Sequence, residues 1–216
     1  MAGGLVIKLV RHGESLANVS AFDPQKSGDY RTPLTPRGEE QAASAGVAIG
    51  AEFIRGALVY TSPYLRARQT LEGIFGATAA RDAALGVFED PRLREVDHGY
   101  SDVKEQEPLR ETHGWFYYRY QGGESPADCY DRVSGFLETL MRQVGRRSAE
   151  RVLIVTHGLA LRCFVMRFLH LTVEEFERMK NPGNGAVVTL APRGTLAKYG
   201  YATDGWEVDG LELYSG

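Results

Sequence analysis

Cysteine is scarce in this sequence of 216 residues, and no long apolar run occurs. The two cysteines, Cys129 and Cys163, stand at unrelated positions and indicate neither a disulfide framework nor a metal-ligand cluster. We expect both to lie reduced in helix faces. No window approaches the ~20 apolar residues that a membrane span needs, and residues 1–8 lack the basic and apolar regions of a secretory leader. These absences predict a cytoplasmic protein without a membrane partner.

The sequence also has no large excess of charge of one sign, since it contains 25 Lys and Arg residues and 28 Asp and Glu residues. The net charge of −3 creates no overall positive field that could hold nucleic acid, so any anion site must be local. Hydrophobic residues make up 43% of the chain and charged residues 25%, as in ordinary globular proteins. Without repeats or a linker-like stretch, we expect one domain over residues 1–216.

Short apolar runs alternate with helical patterns along the chain. Strands are predicted at residues 5–10, 57–60, 86–88, 152–156 and 186–190, the last interpreted as the final strand of the sheet. Helices are predicted at residues 36–51, from after Pro63 to Phe75 with Gly76 as the stop, and at 127–144 and 159–169. The alternation predicts an α/β fold with three α/β/α layers and a mostly parallel central sheet.

Capping residues precede two of these helices: Thr35 stands before Pro36, and Ser125 stands before the helix that starts near residue 127. The stretch of residues 94–120 is polar and aromatic and follows no clean period. We interpret it as an excursion of the single domain, at about residues 94–124, that forms a cap beside the site.

The unusual polar residues all follow predicted strands. They are Arg11 and His12 after the first strand, Ser62 and Arg66 after the second, Glu95 after the third, and His157 after the fourth. Ligands of parallel α/β sheets bind beyond the carboxyl ends of the strands. We therefore expect these side chains to converge on one edge of the sheet.

Two histidines share the same local setting, because His12 and His157 each stand between a strand and a glycine that leads toward a helix. Such a glycine permits a close backbone approach, and helix beginnings offer unpaired N–H groups to an anion. Arg11 and Arg66 add groups suited to bidentate contact with phosphate oxygens. Arginine repels a metal ion, so the set predicts a pocket for a phosphoryl group.

Within such a pocket a neutral His12 can attack phosphorus in line and form a phosphohistidine. Its other ring nitrogen would then need a backbone carbonyl partner that fixes the tautomer. Arg11, Arg66 and His157 would stabilise the negative charge that develops on the equatorial oxygens. Glu95 is the candidate proton donor to the leaving group, but spacing alone leaves Asp97 and His98 as alternatives.

Six blocks of the sequence form a pattern that is more specific than a single Arg-His-Gly tripeptide. They are residues 9–15 with Asn18, 34–38 with 41–42, 61–70, 93–95 with Gly99, 123–125, and 155–158. Their order and spacing resemble those of the histidine phosphatase superfamily, in its phosphoglycerate-mutase-like branch. The resemblance spans about residues 5 to 190.

The resemblance implies a role for each matching position. His12 is implied to be the phosphorylated nucleophile, and Arg11, Arg66 and His157 the phosphate pocket. Glu95 is implied, in preference to Asp97, to donate and accept the proton. Asn18 is implied to contact phosphate or substrate. No metal and no organic cofactor is implied for the phosphatase members, and the only partner expected is a small phosphorylated substrate.

Three functions stay open at this point. The first is a phosphomonoester hydrolase of broad specificity, favoured because residues 115–120 are aromatic and contain few cations. The second is a 2,3-bisphosphoglycerate-dependent phosphoglycerate mutase, in which Arg94, Arg110 and Arg119 would bind a carboxylate or second phosphate. The third is an idle regulatory or binding module. The oligomeric state also stays open, with a homodimer as one alternative.

Several polar residues are expected to have no chemical role. Ser62 and Ser125 are interpreted first as helix caps. Arg68 lies on a different side of its helix from Arg66. His113 and His170 have no motif context, and we expect both to be structural or exposed.

Overall fold

The computed structural model describes residues 4–21, 28–100, 104–203 and 205–214. Within them seven strands form one sheet: β1 (Val6–Arg11), β2 (Leu58–Thr61), β3 (Gly86–Glu89), β4 (Arg151–Thr156), β5 (Val187–Pro192), β6 (Tyr201–Thr203) and β7 (Trp206–Asp209). Their order across the sheet is β3-β2-β4-β1-β5-β7-β6.

Four neighbouring strands, β3, β2, β4 and β1, run parallel to one another. Arg11 is paired with Thr156, and Thr61 with Val155, so the carboxyl ends of these strands meet at one edge of the sheet. The remaining strands are antiparallel to their neighbours, which makes the whole sheet mixed. The predicted α/β fold is confirmed, and its parallel part is the part that carries the candidate site.

The sheet does not end where the sequence pattern suggested. The run at residues 186–190 corresponds to β5, but β6 and β7 follow it and extend the sheet. These two strands have only three and four residues and lie beside glycines, so neither contains an apolar run long enough to predict a strand.

The described residues also form helices α1 (Pro36–Ile49), α2 (Ala51–Ile54), α3 (Leu65–Thr78), α4 (Glu107–His113), α5 (Pro126–Arg147), α6 (Gly158–Leu169) and α7 (Val173–Arg178). Short 3-10 turns occupy Asp29–Arg31, Arg81–Ala83 and Pro91–Leu93. Among the described residues, no helix combines the length and the apolar composition that crossing a bilayer requires.

The sheet buries both of its faces. Alternate strand residues point to opposite sides, so Val59 and Leu153 face α1 and α3, while Leu58 and Ile154 face α5 and α6. The fully buried Phe136 of α5 lies in this second core, and burying a side chain of that size contributes about 1.5–3 kcal/mol. The result is the predicted three-layer α/β/α arrangement.

Helices α1 and α5 begin at the predicted caps. Thr35 Oγ1 accepts a hydrogen bond from Gly38 N at 3.0 Å, and Pro36 occupies the first helical position. Ser125 and Asp128 form a reciprocal capping box at the start of α5. Both helix starts therefore follow from local sequence alone, as expected.

Helix α3 continues past the expected stop at Gly76. It ends at Thr78, and the following Ala79 takes a left-handed conformation with φ 49°. A glycine inside a helix costs only about 1 kcal/mol relative to alanine, and the backbone hydrogen bond from Ala79 N to Phe75 O, at 2.7 Å, continues the helix past it.

The excursion after β3 packs most of its aromatic residues inward, whereas Tyr100 and Tyr117 are exposed. Phe116 and Tyr120 are buried in the core, and Trp115 stacks on Phe176 with ring centroids 5.5 Å apart. Arg162 of α6 lies within 4.7 Å of both of those stacked rings, so a cation–π contact ties the excursion to the second helical layer. Residues 115–120 are therefore mainly packing residues. The cap role of the excursion stays a prediction.

Candidate active site

A cleft of about 1440 Å³ opens at the carboxyl edge of the parallel strands. Arg11, His12, Arg66 and Glu95 all line it, and His157 lies buried directly behind His12. The ring centroids of the two histidines are 5.1 Å apart. The structure thus brings together five of the six residues that were expected to converge, and the sixth, Ser62, contacts His157.

His12 follows β1 directly and is held from both sides. Its backbone N donates to Thr156 O of β4 at 2.9 Å, and its ring is only 4% exposed. Nδ1 lies 2.7 Å from Gly13 O. A carbonyl can only accept, so Nδ1 carries the proton and Nε2 presents its lone pair. This is the carbonyl partner that the nucleophile requires.

The surroundings of His12 keep the ring neutral. Burial first, and then the positive charges of Arg66 and Arg11, lower the pKa of His12 from 6.5 to about 3. The hydrogen bond to Gly13 O acts in the opposite direction. The ring therefore keeps its lone pair at neutral and mildly acidic pH.

Glycines let the backbone after His12 pack tightly against α1. A Cβ on Gly13 would lie 2.3 Å from Gly38 O, and a Cβ on Gly38 would lie 2.0 Å from Glu14 O. Gly13 N also donates to Thr70 Oγ1 of α3 at 3.0 Å. The two glycines at these positions are thus required by a backbone-to-backbone contact.

Arg66 projects from the first turn of α3 toward His12, and its side chain is only 6% exposed. Its Nε donates to His12 Nε2 at 3.3 Å. Its two terminal nitrogens are held by Asp29, with Nη1 2.8 Å from Oδ1 and Nη2 3.0 Å from Oδ2. The guanidinium therefore lies directly beside the nitrogen that would attack phosphorus.

Arg11 approaches from the other side, at the end of β1. Its Nη1 donates to Pro182 O at 2.5 Å, while its buried Nε has no hydrogen-bond partner among the described residues. Burial lowers the pKa of Arg11, and Arg66 lowers it further, whereas Glu95 raises it. Arg11 thus adds a second guanidinium group to the lining of the cleft.

His157 is fully buried at the end of β4. Its Nε2 lies 2.8 Å from Ser62 Oγ, and its Nδ1 has no partner among the described residues. Burial first, then the charge of Arg66 and the neighbouring His12, lower the pKa of His157 well below its ordinary value. Ser62 was expected mainly to cap α3. Its hydroxyl accepts from Tyr64 N, just before the helix, at 3.3 Å and also orients this histidine.

Glu95 stands where the third strand's connection reaches α6. Its Oε1 accepts from Val96 N at 3.1 Å and from Ala160 N at 3.3 Å, and its Oε2 accepts from Leu159 N at 3.4 Å. The carboxyl group thus lies at the N-terminus of α6, where the helix dipole favours negative charge.

The segment that carries this glutamate is anchored from behind. Thr156 Oγ1 donates to Leu93 O at 2.7 Å. Arg132 of α5 donates through Nη1 to Arg92 O at 2.7 Å and to Arg94 O at 2.9 Å. These bonds fix the backbone on both sides of Leu93, so the carboxyl group is presented to the cleft by a rigid segment.

The remaining candidates lie at the rim of the cleft. Asn18 lines it, and its Oδ1 accepts from Ser15 N at 2.9 Å and from Asn184 Nδ2 at 3.2 Å. A contact between Asn18 and an anion would therefore come from its Nδ2. Asp97 and His98 also line the cleft, but both are exposed.

Residues expected to lie outside the pocket do so. Arg68, His113 and His170 are all exposed. Arg68 Nη1 lies 3.9 Å from Glu89 Oε2. Asp29 and Tyr64 line the cleft although the sequence singled out neither. No periodicity or motif distinguished Asp29, because its contact with Arg66 joins residues far apart in the chain.

The chemistry of the pocket suits a phosphoryl group. Two guanidinium groups surround a neutral imidazole nitrogen, and a carboxyl group stands at the same cleft. No group of three or more His, Cys, Asp or Glu side chains among the described residues is arranged to hold a metal ion.

The chain is 40% identical over 199 residues to the phosphoglycerate mutase-like protein AT74H of Arabidopsis thaliana, covering 82% of this chain and 70% of that protein. It is 27% identical over 295 aligned positions to the broad-range acid phosphatase DET1 of Saccharomyces cerevisiae, covering 90% of this chain and 87% of that protein. A mycobacterial glucosyl-3-phosphoglycerate phosphatase in complex with VO3 has the same fold, with a TM-score of 0.72 and 22% identity over 95% of this chain and 97% of that chain.

A family model described as "Histidine phosphatase superfamily (branch 1)" matches residues 7–201. The matched range contains all the residues that converge on the cleft, and the resemblance seen in the sequence is confirmed. The chain therefore belongs to the histidine phosphatase superfamily, branch 1.

Proposed function

We propose that the chain is a phosphomonoester hydrolase of broad specificity that acts on small phosphorylated metabolites through a phosphohistidine at His12. One observation carries this proposal: the unprotonated Nε2 of His12 faces the cleft beside Arg66 Nε, at 3.3 Å. A neutral nucleophile next to a fixed cation can bind a phosphoryl dianion and attack it without first losing a proton.

In the first half-reaction, His12 Nε2 forms a bond to phosphorus while the bond from phosphorus to the ester oxygen breaks. The leaving oxygen takes a proton from the carboxylic acid of Glu95. Arg11 and Arg66 bind the equatorial oxygens, and His157, whose ring centroid lies 5.1 Å from that of His12, stabilises the same charge.

In the second half-reaction, water attacks the phosphohistidine. The Glu95 carboxylate takes one proton from that water, the bond from nitrogen to phosphorus breaks, and inorganic phosphate leaves. His12 returns to the neutral tautomer that Gly13 O stabilises, so the cycle closes without a further reactant.

Hydrolysis is favoured over mutase activity by the positions of three arginines. Arg94 is paired with Glu124, Arg119 is paired with Asp128, and Arg110 lies over the ring of Trp115. None of the three arginines lines the cleft formed by the described residues. A mutase would need such cations at the site to hold a phosphoacid in two orientations.

Broad specificity is supported by the size and lining of the cleft. Beyond the phosphoryl pocket, its described wall includes Tyr30, Tyr64 and Tyr100, of which the first and third are exposed. Aromatic faces bind varied apolar groups without demanding one pattern of hydrogen bonds. The yeast relative is itself named a broad-range acid phosphatase.

The decisive experiment compares hydrolysis of p-nitrophenyl phosphate with conversion of 3-phosphoglycerate in the presence of catalytic bisphosphoglycerate. We expect phosphate release to dominate. Mutase turnover much faster than phosphate release would overturn the proposal, and no turnover of any phosphoester would support an idle module.

The nucleophile is tested with His12→Ala. This variant is expected to lose hydrolysis and to yield no alkali-stable phosphoryl adduct in mass spectra of quenched reactions. His113→Ala is the matched control, because its ring is exposed and lies outside the cleft. Persistent hydrolysis in the His12 variant would remove this residue from the role.

A further inference from the structure

Asp29 makes an unusually complete contact with the guanidinium of Arg66. Its carboxylate binds both terminal nitrogens, and its backbone carbonyl accepts a further bond from Nη1 at 2.8 Å. Both contacts come from the short turn Asp29–Arg31 at the wall of the cleft. A bidentate fork of this kind fixes the plane of an arginine as well as its position.

The contact decides which edge of the guanidinium faces the reaction. Arginine has five N–H donors, and Asp29 uses both donors of Nη1 and one of Nη2. The two remaining donors, Nε–H and the second N–H of Nη2, lie on one edge of the planar group. Nε on that edge already points to His12 Nε2.

We propose that Asp29 is a positioning residue that holds the Nε–Nη2 edge of Arg66 toward the phosphoryl group on His12. The inference rests on the proposed function and adds to it a residue that acts through Arg66. A phosphoryl group at Nε2 then receives two parallel hydrogen bonds from that edge, which is the geometry that arginine offers to phosphate.

Burial explains why Arg66 depends on this partner. The Arg66 side chain is 6% exposed and Asp29 is 36% exposed, so water reaches the carboxylate more readily than it reaches the guanidinium. Loss of the fork would leave the buried end of the guanidinium without its acceptor and free to rotate. The negative charge of Asp29 acts the other way, because it weakens the attraction of the pocket for an anion.

These two effects of Asp29 have opposite signs, so anion binding distinguishes them. With Asp29→Asn, positioning predicts that the dissociation constant of orthovanadate, measured by calorimetry, rises about 10-fold, as loss of one charge-assisted hydrogen bond would cause. It also predicts that kcat/KM for p-nitrophenyl phosphate falls roughly 10- to 100-fold. An unchanged dissociation constant would overturn the proposal. A lower dissociation constant would also overturn it, because it would show that Asp29 competes with the phosphoryl group.

Glu72→Gln is the matched control, because it makes the same acid-to-amide change in an arginine pair, with Arg81, at the far end of α3. It should bind vanadate like the wild type, and an equal loss there would overturn the assignment. In an Arg66→Ala background, Asp29→Asn should no longer raise the vanadate dissociation constant, since the positioning effect acts only through Arg66.

Further measurements distinguish loss of the positioning role from unfolding of the variant and from failure of the proposed function. Circular dichroism checks folding, and Asp29→Ser, which keeps the carbonyl contact, replaces the Asn variant if that variant unfolds. A wild-type protein that neither hydrolyses phosphoesters nor forms a phosphohistidine refutes the proposed function. An active wild type whose Asp29 variants bind vanadate normally refutes the positioning role alone.

Discussion

Replacing His12 with asparagine is expected to flatten the acid dependence of stability. The folded chain lowers the pKa of His12 to about 3, whereas the unfolded chain restores a value near 6.5. Between these values the unfolded state binds more protons than the folded state, so acid favours unfolding. The contribution of neutral His12 to the free energy of unfolding is complete above pH 6.5 and is lost as the pH falls toward about 3.

The size of the effect follows from the two pKa values. Stability changes by about 1.4 kcal/mol per pH unit over this window, which sums to about 5 kcal/mol for a single histidine. Between pH 7 and pH 5 the loss is about 2 kcal/mol. The full value applies because the ring is only 4% exposed and solvent screens it little.

Urea unfolding at pH 7 and at pH 5 measures this loss in the wild type and in His12→Asn. The variant should lose about 2 kcal/mol less than the wild type between the two pH values. Any constant effect of the substitution cancels in the comparison. His157 contributes equally in both proteins over this pH range, because burial and Arg66 are the largest causes that keep its pKa well below the ordinary value.

His113→Gln is the matched control, since it replaces an exposed histidine that lies outside the cleft. An equal loss of stability in the wild type and in His12→Asn would refute the reasoning. It would mean that the His12 ring is not held neutral by burial and by its two arginine neighbours.

Three further substitutions test the site, with Gly76→Ala as the control for Gly13→Ala. Glu95→Gln should lower kcat/KM, which reports the phosphorylation step alone, by ~10²- to 10⁴-fold for an alkyl phosphate and much less for p-nitrophenyl phosphate, because nitrophenolate leaves without a proton; equal losses of kcat/KM for the two substrates would exclude the acid role. Ser62→Ala should cost about 1–3 kcal/mol in urea unfolding, since it leaves the buried Nε2 of His157 without its 2.8 Å partner; unaltered stability would contradict this. Gly13→Ala should abolish turnover, because its Cβ would lie 2.3 Å from a carbonyl oxygen of α1. In Gly76→Ala the new Cβ meets no atom within 4 Å, so this variant should raise the free energy of unfolding by about 0.5–1 kcal/mol.

Much of the fold could be predicted from local sequence signals. Thr35 with Pro36 and Ser125 with Asp128 begin their helices through bonds that span three residues, so nearby sequence contains the information. The prediction that Gly76 ends its helix was wrong because a single glycine costs little, and the bond from Ala79 N to Phe75 O carries the helix past it. The short strands β6 and β7 escaped prediction because pairing with β5, rather than an apolar run, makes them strands.

The convergence of the site could also be predicted, because parallel strands bring their carboxyl ends to one edge wherever they lie in sequence. The family pattern added the choice of Glu95 over Asp97, which spacing did not provide. The aromatic residues 115–120 were harder to interpret, since core packing and a substrate platform have the same composition. The structure shows that Phe116 and Tyr120 are buried, while Tyr30 and Tyr64 line the cleft.

The sequence by itself determined the α/β alternation, the helix caps and the residues that a phosphoryl site requires, since each is written in a short segment. The tertiary structure alone decided the state of those residues. The tautomer of His12 depends on the rotation of its ring, the pairing of His157 on Ser62, and the orientation of Arg66 on Asp29. The last two contacts join residues 95 and 37 positions apart, and their strength comes from burial, which only the complete fold creates.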